Sequence, residues 1–192
     1  MPKHTIRAFF AVELPTFILE KIEKELYDLK NSIPQKIKWV AIDSMHITIK
    51  FVEDFNPEHQ SSIQKDLQSR LSGFGNIKLS IGKIGVFRNL RNPRIAWLGL
   101  NGPGPLIELA QIVARITSNY GYPQEKRNFS PHLTIGRVRN NISVRDRELI
   151  GQIIANYEFT EIDPFITNRL SFIKSSLTRH GPIYSTLFEI SL

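Results

Sequence analysis

The sequence predicts an α+β fold built largely on antiparallel sheets, and three observations predict it. Strand and helix patterns follow one another without the regular βαβ alternation that builds parallel sheets. The order strand, helix, strand, helix runs through the chain twice, with extra strands in the second half. A short pattern (His, aliphatic, Thr, Ile) occurs once in each half, at His46-Ile47-Thr48-Ile49 and His132-Leu133-Thr134-Ile135, a little under half the chain apart. A divergent half-chain duplication, with a pseudo-twofold axis, would bring the two copies together. A length of 192 residues with 41% hydrophobic content suits one domain or two small lobes sharing a fold.

The elements follow in order. Residues 5–13, rich in β-branched and aromatic side chains and stopped by Leu14-Pro15, read as a strand. Phe17, Ile18, Ile22, Leu26 and Leu29 give an amphipathic helix over 16–32, with Pro15 beside its start and Pro34 beyond its end. Residues 37–42 form a short strand or loop edge, and 45–52 the strand of the first motif. A helix over 57–72 takes Asn56 as N-cap and Pro57 at its first position, buries Ile63, Leu67 and Leu71, and is closed by Gly73 and Gly75. Strands are expected at 77–87 and 94–100, separated by a polar loop carrying Arg88, Arg91 and Arg94.

Asn101-Gly102-Pro103-Gly104-Pro105 is turn chemistry. A helix over 105–120 buries Leu106, Leu109, Ile112, Val113 and Ile116, and Gly121-Tyr122-Pro123 ends it. The second motif lies on a strand at 131–138. Ser143 caps a helix over 143–156, and strands at 164–174 and 184–191 complete the chain. Low-complexity segments and Gly/Ser-rich linkers are absent.

Composition narrows the classes of function. With 25 Lys plus Arg against 18 Asp plus Glu the chain carries +7, which favours anionic partners such as nucleic acid or nucleotide. There is no Cys, which excludes a disulfide framework, a thiol nucleophile and a cysteine metal site. The first residues lack an apolar signal core, and no apolar run approaches the roughly 18 residues of a membrane span. A cytoplasmic protein without a membrane segment is the expectation. The lack of Cys and the 11 prolines are compatible with a heat-adapted source.

In an extended strand side chains alternate faces, so His46 and Thr48 share one face while Ile47 and Ile49 take the other. His132 and Thr134 repeat the arrangement over Leu133 and Ile135. Two such strands facing one cleft supply two imidazoles and two hydroxyls, a set suited to acid–base chemistry on a phosphate. A single histidine followed by threonine is usually structural. Two copies with matching surroundings are a different matter.

The paired His-x-Thr-x motifs resemble the 2H phosphoesterase superfamily. The flanks are similar to those of its RNA 2′,3′-cyclic phosphodiesterases, long labelled 2′-5′ RNA ligases. Those flanks are Arg7-Ala8-Phe9-Phe10-Ala11-Val12-Glu13, Phe129-Ser130-Pro131, Gly136-Arg137-Val138-Arg139 and Gly181-Pro182-x-Tyr184, so the resemblance spans essentially the whole chain. It implies a bilobal pseudo-twofold fold, with one antiparallel sheet per lobe lining a central cleft and helices outside. The unit would be a single domain over 1–192 made of two intertwined lobes, each contributing one motif. It also implies hydrolysis of an RNA 2′,3′-cyclic phosphate end to a 2′-phosphomonoester with no metal and no cofactor. The reverse 2′-5′ joining is an implied activity in vitro. The expected partner is RNA with such an end, tRNA fragments among them, bound by a monomer. One departure stands out: Phe51-Val52-Glu53 follows the first motif where a glycine is expected.

In-line opening of a cyclic phosphodiester needs a group to take a proton from water and another, across the phosphorus, to protonate the departing ribose oxygen. Two histidines with pKa values near 6.5 serve at neutral pH, each contributing roughly 10²–10⁴ in rate. The threonines can hold the non-bridging oxygens. The resemblance makes His46 the proton donor and His132 the acceptor, a direction that the two alike motifs do not themselves distinguish. Arg137 is the candidate cation for the phosphate. Strict alternation turns it away from the cleft unless Gly136 hosts a bulge. Lys50 shares the alternation of His46 and Thr48 and is expected at the cleft rim. Phe9, Phe10 and Tyr184 are read either as core packing or as borders of a base. The arginine loop reads equally as a solvated loop and as an RNA-backbone contact.

His4, His59 and His180 have no motif context and are taken as surface residues. Three other classes stay open. One is a two-histidine module that binds a nucleotide or RNA end without turnover. Another is a cyclic phosphodiesterase for a small nucleotide such as ADP-ribose 1″,2″-cyclic phosphate. The third is a physiological ligase, although no Gly-x-x-x-x-Gly-Lys-Ser/Thr loop is present to activate a nucleotide. A metal site built from His46, His132 and Asp43 or Asp54 would match no zinc spacing.

Overall fold

The protein is described from a computed structural model covering residues 5–33, 35–125, 128–160, 162–179 and 181–192. The expectations placed on His4, Pro34 and His180 lie outside these residues. The elements run β1 (Ile6–Glu13), α1 (Thr16–Glu25), α2 (Tyr27–Ser32), β2 (Ile37–Trp39), β3 (His46–Phe55), α3 (Gln60–Leu71), β4 (Ile77–Phe87) and β5 (Ile95–Asn101). They continue with α4 (Gly104–Ser118), β6 (His132–Val138), α5 (Val144–Ala155), β7 (Ile162–Thr167), β8 (Arg169–Thr178) and β9 (Gly181–Ser191).

The strands form one curled antiparallel sheet in the order β7-β4-β5-β6-β3-β1-β8-β9, with β2 on β6. Two groups of four meet at its middle, and the strands that meet are the two motif strands. Their only paired residues are Ile47 and Leu133. The sheet is thus continuous, where one sheet per lobe was expected, and its halves are joined at one point.

One sheet face and the helices enclose the main core. Ile47, Ile49, Leu133 and Ile135 point into it beside Ile18, Ile22, Ile63, Leu67, Leu109 and Ile150. Each such side chain contributes roughly 1.5–3 kcal/mol through burial. The face opposite the helices carries a much smaller cluster, Phe9, Ala11 and Ile173, with Tyr184 packed against it.

Most helix ends lie where their sequence signals put them. The Asn56 side chain accepts from the Glu58 N–H at the entry to α3, and that of Ser143 from the Asp146 N–H at the entry to α5. Gly73 and Gly75 follow α3 with φ of 79° and 91°, left-handed values that favour glycine. The continuous helix expected over 16–32 is broken at Leu26. There the Tyr157 hydroxyl donates to the Glu25 carbonyl and takes it out of the helical ladder. The single strand expected over 164–174 is two strands. The chain crosses at Asn168 from an edge strand on β4 to an inner strand between β1 and β9. Pro164 is tolerated because β7 is that edge.

Candidate active site

The sequence around each motif strand fixes its imidazole in the same way. His46 Nδ1 lies 2.9 Å from the Ser44 carbonyl oxygen, and His132 Nδ1 lies 2.7 Å from that of Ser130. A carbonyl only accepts, so each Nδ1 carries the hydrogen and donates. In the neutral ring Nε2 is then left with a free lone pair. The shared local pattern is Ser-x-His-x-Thr, with the serine contributing backbone rather than hydroxyl.

The Ile47–Leu133 pairing sets the relation between the strands. One step to either side, antiparallel register puts His46 beside Thr134 and Thr48 beside His132. The two imidazoles therefore occupy diagonal corners of a four-residue group and the two threonines the other corners, all on the face opposite the core. Neither threonine hydroxyl bonds another described residue in the structure, so both are available to a ligand.

Beyond the threonines both strands bulge at matching places. On β3 the register against β1 skips Ile49, since Phe10 pairs with Lys50 and Ala11 with Thr48. On β6 the register against β5 skips Ile135, since Ala96 pairs with Gly136 and Trp97 with Thr134. Each bulge inserts one residue and reverses the alternation beyond it. Arg137 consequently joins His132 and Thr134 on the site face, where it is exposed, and its charge acts on both His46 and Tyr184. Gly136 has no room for a side chain, because a Cβ there would come within 2.6 Å of Ile37 and 3.0 Å of Trp39.

The same bulge corrects the expectation for Lys50. It turns away from the site, is 5% exposed, and donates to the Pro123 carbonyl at 2.6 Å. Burial pushes its pKa down from the usual lysine value, opposed by Glu125. Lys50 ties the motif-1 strand to the segment leading into motif 2. The position that alternation would have given it belongs to Phe51, half exposed, at the place on β3 that Arg137 holds on β6.

Phe9 is also placed differently from a base-bordering residue. It is 3% exposed and stacks on the His46 ring, with centroids 4.6 Å apart. Tyr184 sets its edge against both rings, 5.4 Å from His46 and 5.3 Å from Phe9. Phe10 lies in the core against Phe172 at 4.3 Å. His59 is partly buried and bonds the Tyr122 hydroxyl at 2.9 Å. Phe87 and Trp97 carry no motif in the sequence, yet they line the His132 side of the site. The Phe87 ring meets His132 edge-on at 4.9 Å and lies 5.2 Å from Trp97. Their sequence signal is alternation on β4 and β5, legible once those strands are paired with β6. Among the described residues no group of three or more His, Asp or Glu is arranged to hold a metal ion. Asp43 lies in a short 3₁₀ turn and Asp54 near the far end of β3.

The aromatic packing has an electrostatic consequence. Loss of water pushes the pKa of His46 from 6.5 down to about 4, Arg137 pushes the same way, and the Ser44 carbonyl opposes them. In the unfolded chain the ring titrates near 6.5. Between about pH 6.5 and 4 the unfolded state therefore holds the extra proton, and stability falls as pH falls. The loss is roughly 3 kcal/mol, complete below about pH 4, at about 1.4 kcal/mol per unit. Denaturant midpoints measured from pH 7 to 4 should show this slope, and His46→Gln should flatten it. An equal slope in the variant would assign the acid sensitivity to other groups.

A sheet-and-helix fold that brings two His-x-Thr strands together at a pseudo-twofold axis is the two-histidine class of phosphoesterase. Residues 37–178 match the model of the 2′-5′ RNA ligase superfamily, and the chain belongs to that family. A Methanocaldococcus jannaschii protein named RNA 2′,3′-cyclic phosphodiesterase is 33% identical over 96% of this chain and 99% of its own. One of the same name from Aquifex aeolicus is 31% identical over 96% and 94%. Among solved structures, a Thermus thermophilus protein superposes with a TM-score of 0.74 at 20% identity, covering 97% of this chain and 98% of its own. Escherichia coli LigT complexed with 3′-AMP superposes with a TM-score of 0.70 at 23% identity, covering 98% and 99%. These two are alike in fold.

Proposed function

We propose that this chain hydrolyses the 2′,3′-cyclic phosphate at an RNA end to a 2′-phosphomonoester, with His46 and His132 as its acid and base and no metal. The carrying observation is the diagonal pair of imidazoles, each donating Nδ1–H to a backbone carbonyl. Membership of the family and the names of the whole-length relatives support the substrate.

His132 Nε2 accepts the proton of the attacking water. His46 Nε2–H protonates the 3′ oxygen as its bond to phosphorus breaks, leaving the phosphate on the 2′ oxygen. The direction follows the family resemblance. Before substrate binds, His46 is neutral at pH 7. The phosphate anion arriving beside it opposes both the burial cost and the repulsion from Arg137, so substrate binding shifts the donor towards its charged form. Thr48 and Thr134 donate to the non-bridging oxygens, and Arg137 neutralises their charge. Tyr184 and Phe51 border the terminal base. With a 5′-hydroxyl in place of water as the nucleophile, the same steps in the same direction join two RNA ends through a 2′-5′ bond, the 3′ oxygen again leaving with the proton from His46.

The test is turnover of a short RNA ending in a 2′,3′-cyclic phosphate, with EDTA present, and identification of the hydroxyl that keeps the phosphate. A 2′-phosphate product is expected at undiminished rate. Abolition by EDTA would replace this reading by a metal-dependent one, and binding without turnover by a non-catalytic module. Preference for a small cyclic nucleotide over the RNA would change the substrate class.

A further inference from the structure

The loop between β4 and β5 holds a cluster of cations that the chemistry above does not use. Arg88, Arg91 and Arg94 are exposed, and none has a carboxylate partner among the described residues. Unpaired guanidiniums on a mobile loop would mean little. This loop is built into the fold.

Its ends close on each other, with the Arg94 N–H donating to the Phe87 carbonyl at 2.6 Å and the Asn92 N–H to the Asn89 side chain at 2.9 Å. Beneath it Arg147 of α5, 7% exposed, donates to three backbone carbonyls: Pro93 at 3.2 Å, Arg139 at 2.9 Å and Asn140 at 3.1 Å. One turn further along the same helix face, Gly151 lies directly under the Leu90 backbone, and a Cβ there would overlap the Leu90 carbonyl. A buried arginine that bonds the Pro93 carbonyl of this loop and two carbonyls of the adjoining turn, and a glycine that lets the loop lie on a helix, hold the loop backbone in place. Arg94 is steadied further by the Asn140 side chain at 2.9 Å, and Arg139 adds a fourth exposed cation on the adjoining turn.

The cluster is continuous with the reaction site. Arg88 follows Phe87, whose ring touches His132. The Arg94 carbonyl accepts from the Val138 N–H, one residue beyond Arg137. A track of exposed cations therefore adjoins the site at two points, beside His132 through Phe87 and beside Arg137 through the Arg94 carbonyl. Regularly spaced negative charge on a single strand is the ligand that such a track fits.

We propose that this arginine loop, held by Arg147 and Gly151, binds the backbone of the RNA body upstream of the reacting end. The strand then leaves the site over Phe87 on the His132 side, while the terminal nucleoside lies on the His46 side. The proposal rests on the cyclic-phosphodiesterase reading and adds to it the path of the strand and a preference for longer RNA.

The test uses a series of substrates that share one terminal nucleotide, from the 2′,3′-cyclic mononucleotide to an octamer. In the wild type KM should fall with length. In Arg88→Gln/Arg91→Gln that gain should be largely lost, with roughly tenfold higher KM for the octamer and the loss confined to KM. The slope of log affinity against log salt should flatten by about 1.4, which is two phosphate contacts on a single strand. Gly151→Ala, which displaces the loop without altering its charge, should reproduce the length-selective loss. Anisotropy of a labelled octamer ending in a simple 3′-phosphate measures the same contacts without turnover. An enzyme inactive on every substrate would sink the phosphodiesterase reading, while a salt slope that the double variant reduces would still support the loop as an RNA surface. If the double variant keeps the wild-type octamer KM, octamer affinity and salt slope, the proposal is overturned and the loop serves another partner.

Discussion

His132→Ala and His46→Ala should each slow the opening of an RNA 2′,3′-cyclic phosphate by roughly 10²–10⁴ while leaving a folded protein. Each imidazole moves one proton in the transition state. A loss of 10³ corresponds to about 4 kcal/mol of barrier. Both rings lie on the face opposite the main core, and His132 is packed by one ring edge, so truncation there leaves that core intact. His46 is held between Phe9 and Tyr184, and its removal opens a gap. His46→Gln is the better companion variant for that reason. The double variant should be little worse than either single one, because the two groups act in one concerted exchange and their losses do not add. Single-turnover rates with circular dichroism as the control for folding would check this. A variant that keeps more than about a tenth of the wild-type rate would remove that histidine from the proton path.

The second large effect is expected at the threonines. Thr48→Val and Thr134→Val each remove one donor to the non-bridging oxygens and preserve both side-chain shape and strand propensity. A pre-placed donor of this kind is worth roughly 10²–10³ in rate. The threonines occupy the two corners of the site that the imidazoles do not, and their hydroxyls bond no other described residue. Valine therefore breaks no internal hydrogen bond, and stability should change by less than about 1 kcal/mol. The loss should fall on kcat, since the oxygens gain charge in the transition state. A loss seen only in KM would make the threonines binding groups. An unchanged rate would remove them from the chemistry.

Much of the architecture is legible in the sequence. The helix caps at Asn56 and Ser143, the glycines after α3 and the alternation within His46–Thr48 and His132–Thr134 are local matters, decided by a few neighbouring residues. The breaks were not legible. Leu26 is as good a helix residue as its neighbours, and the helix ends there because Tyr157, far along the chain, takes the Glu25 carbonyl. Asn168 divides two strands because their partners lie in different halves of the sheet.

The sequence by itself determined the paired motifs, the family they resemble and the faces of His46, Thr48, His132 and Thr134. Tertiary structure alone decided which residue follows them onto the site face. Counting in twos put Lys50 in the site and left Arg137 out. The bulges at Ile49 and Ile135 brought Phe51 and Arg137 in and sent Lys50 to Pro123. Alternation is a property of one strand and can be counted along it. A bulge is a mismatch between two strands, and its position depends on what β1 and β5 require of their neighbours.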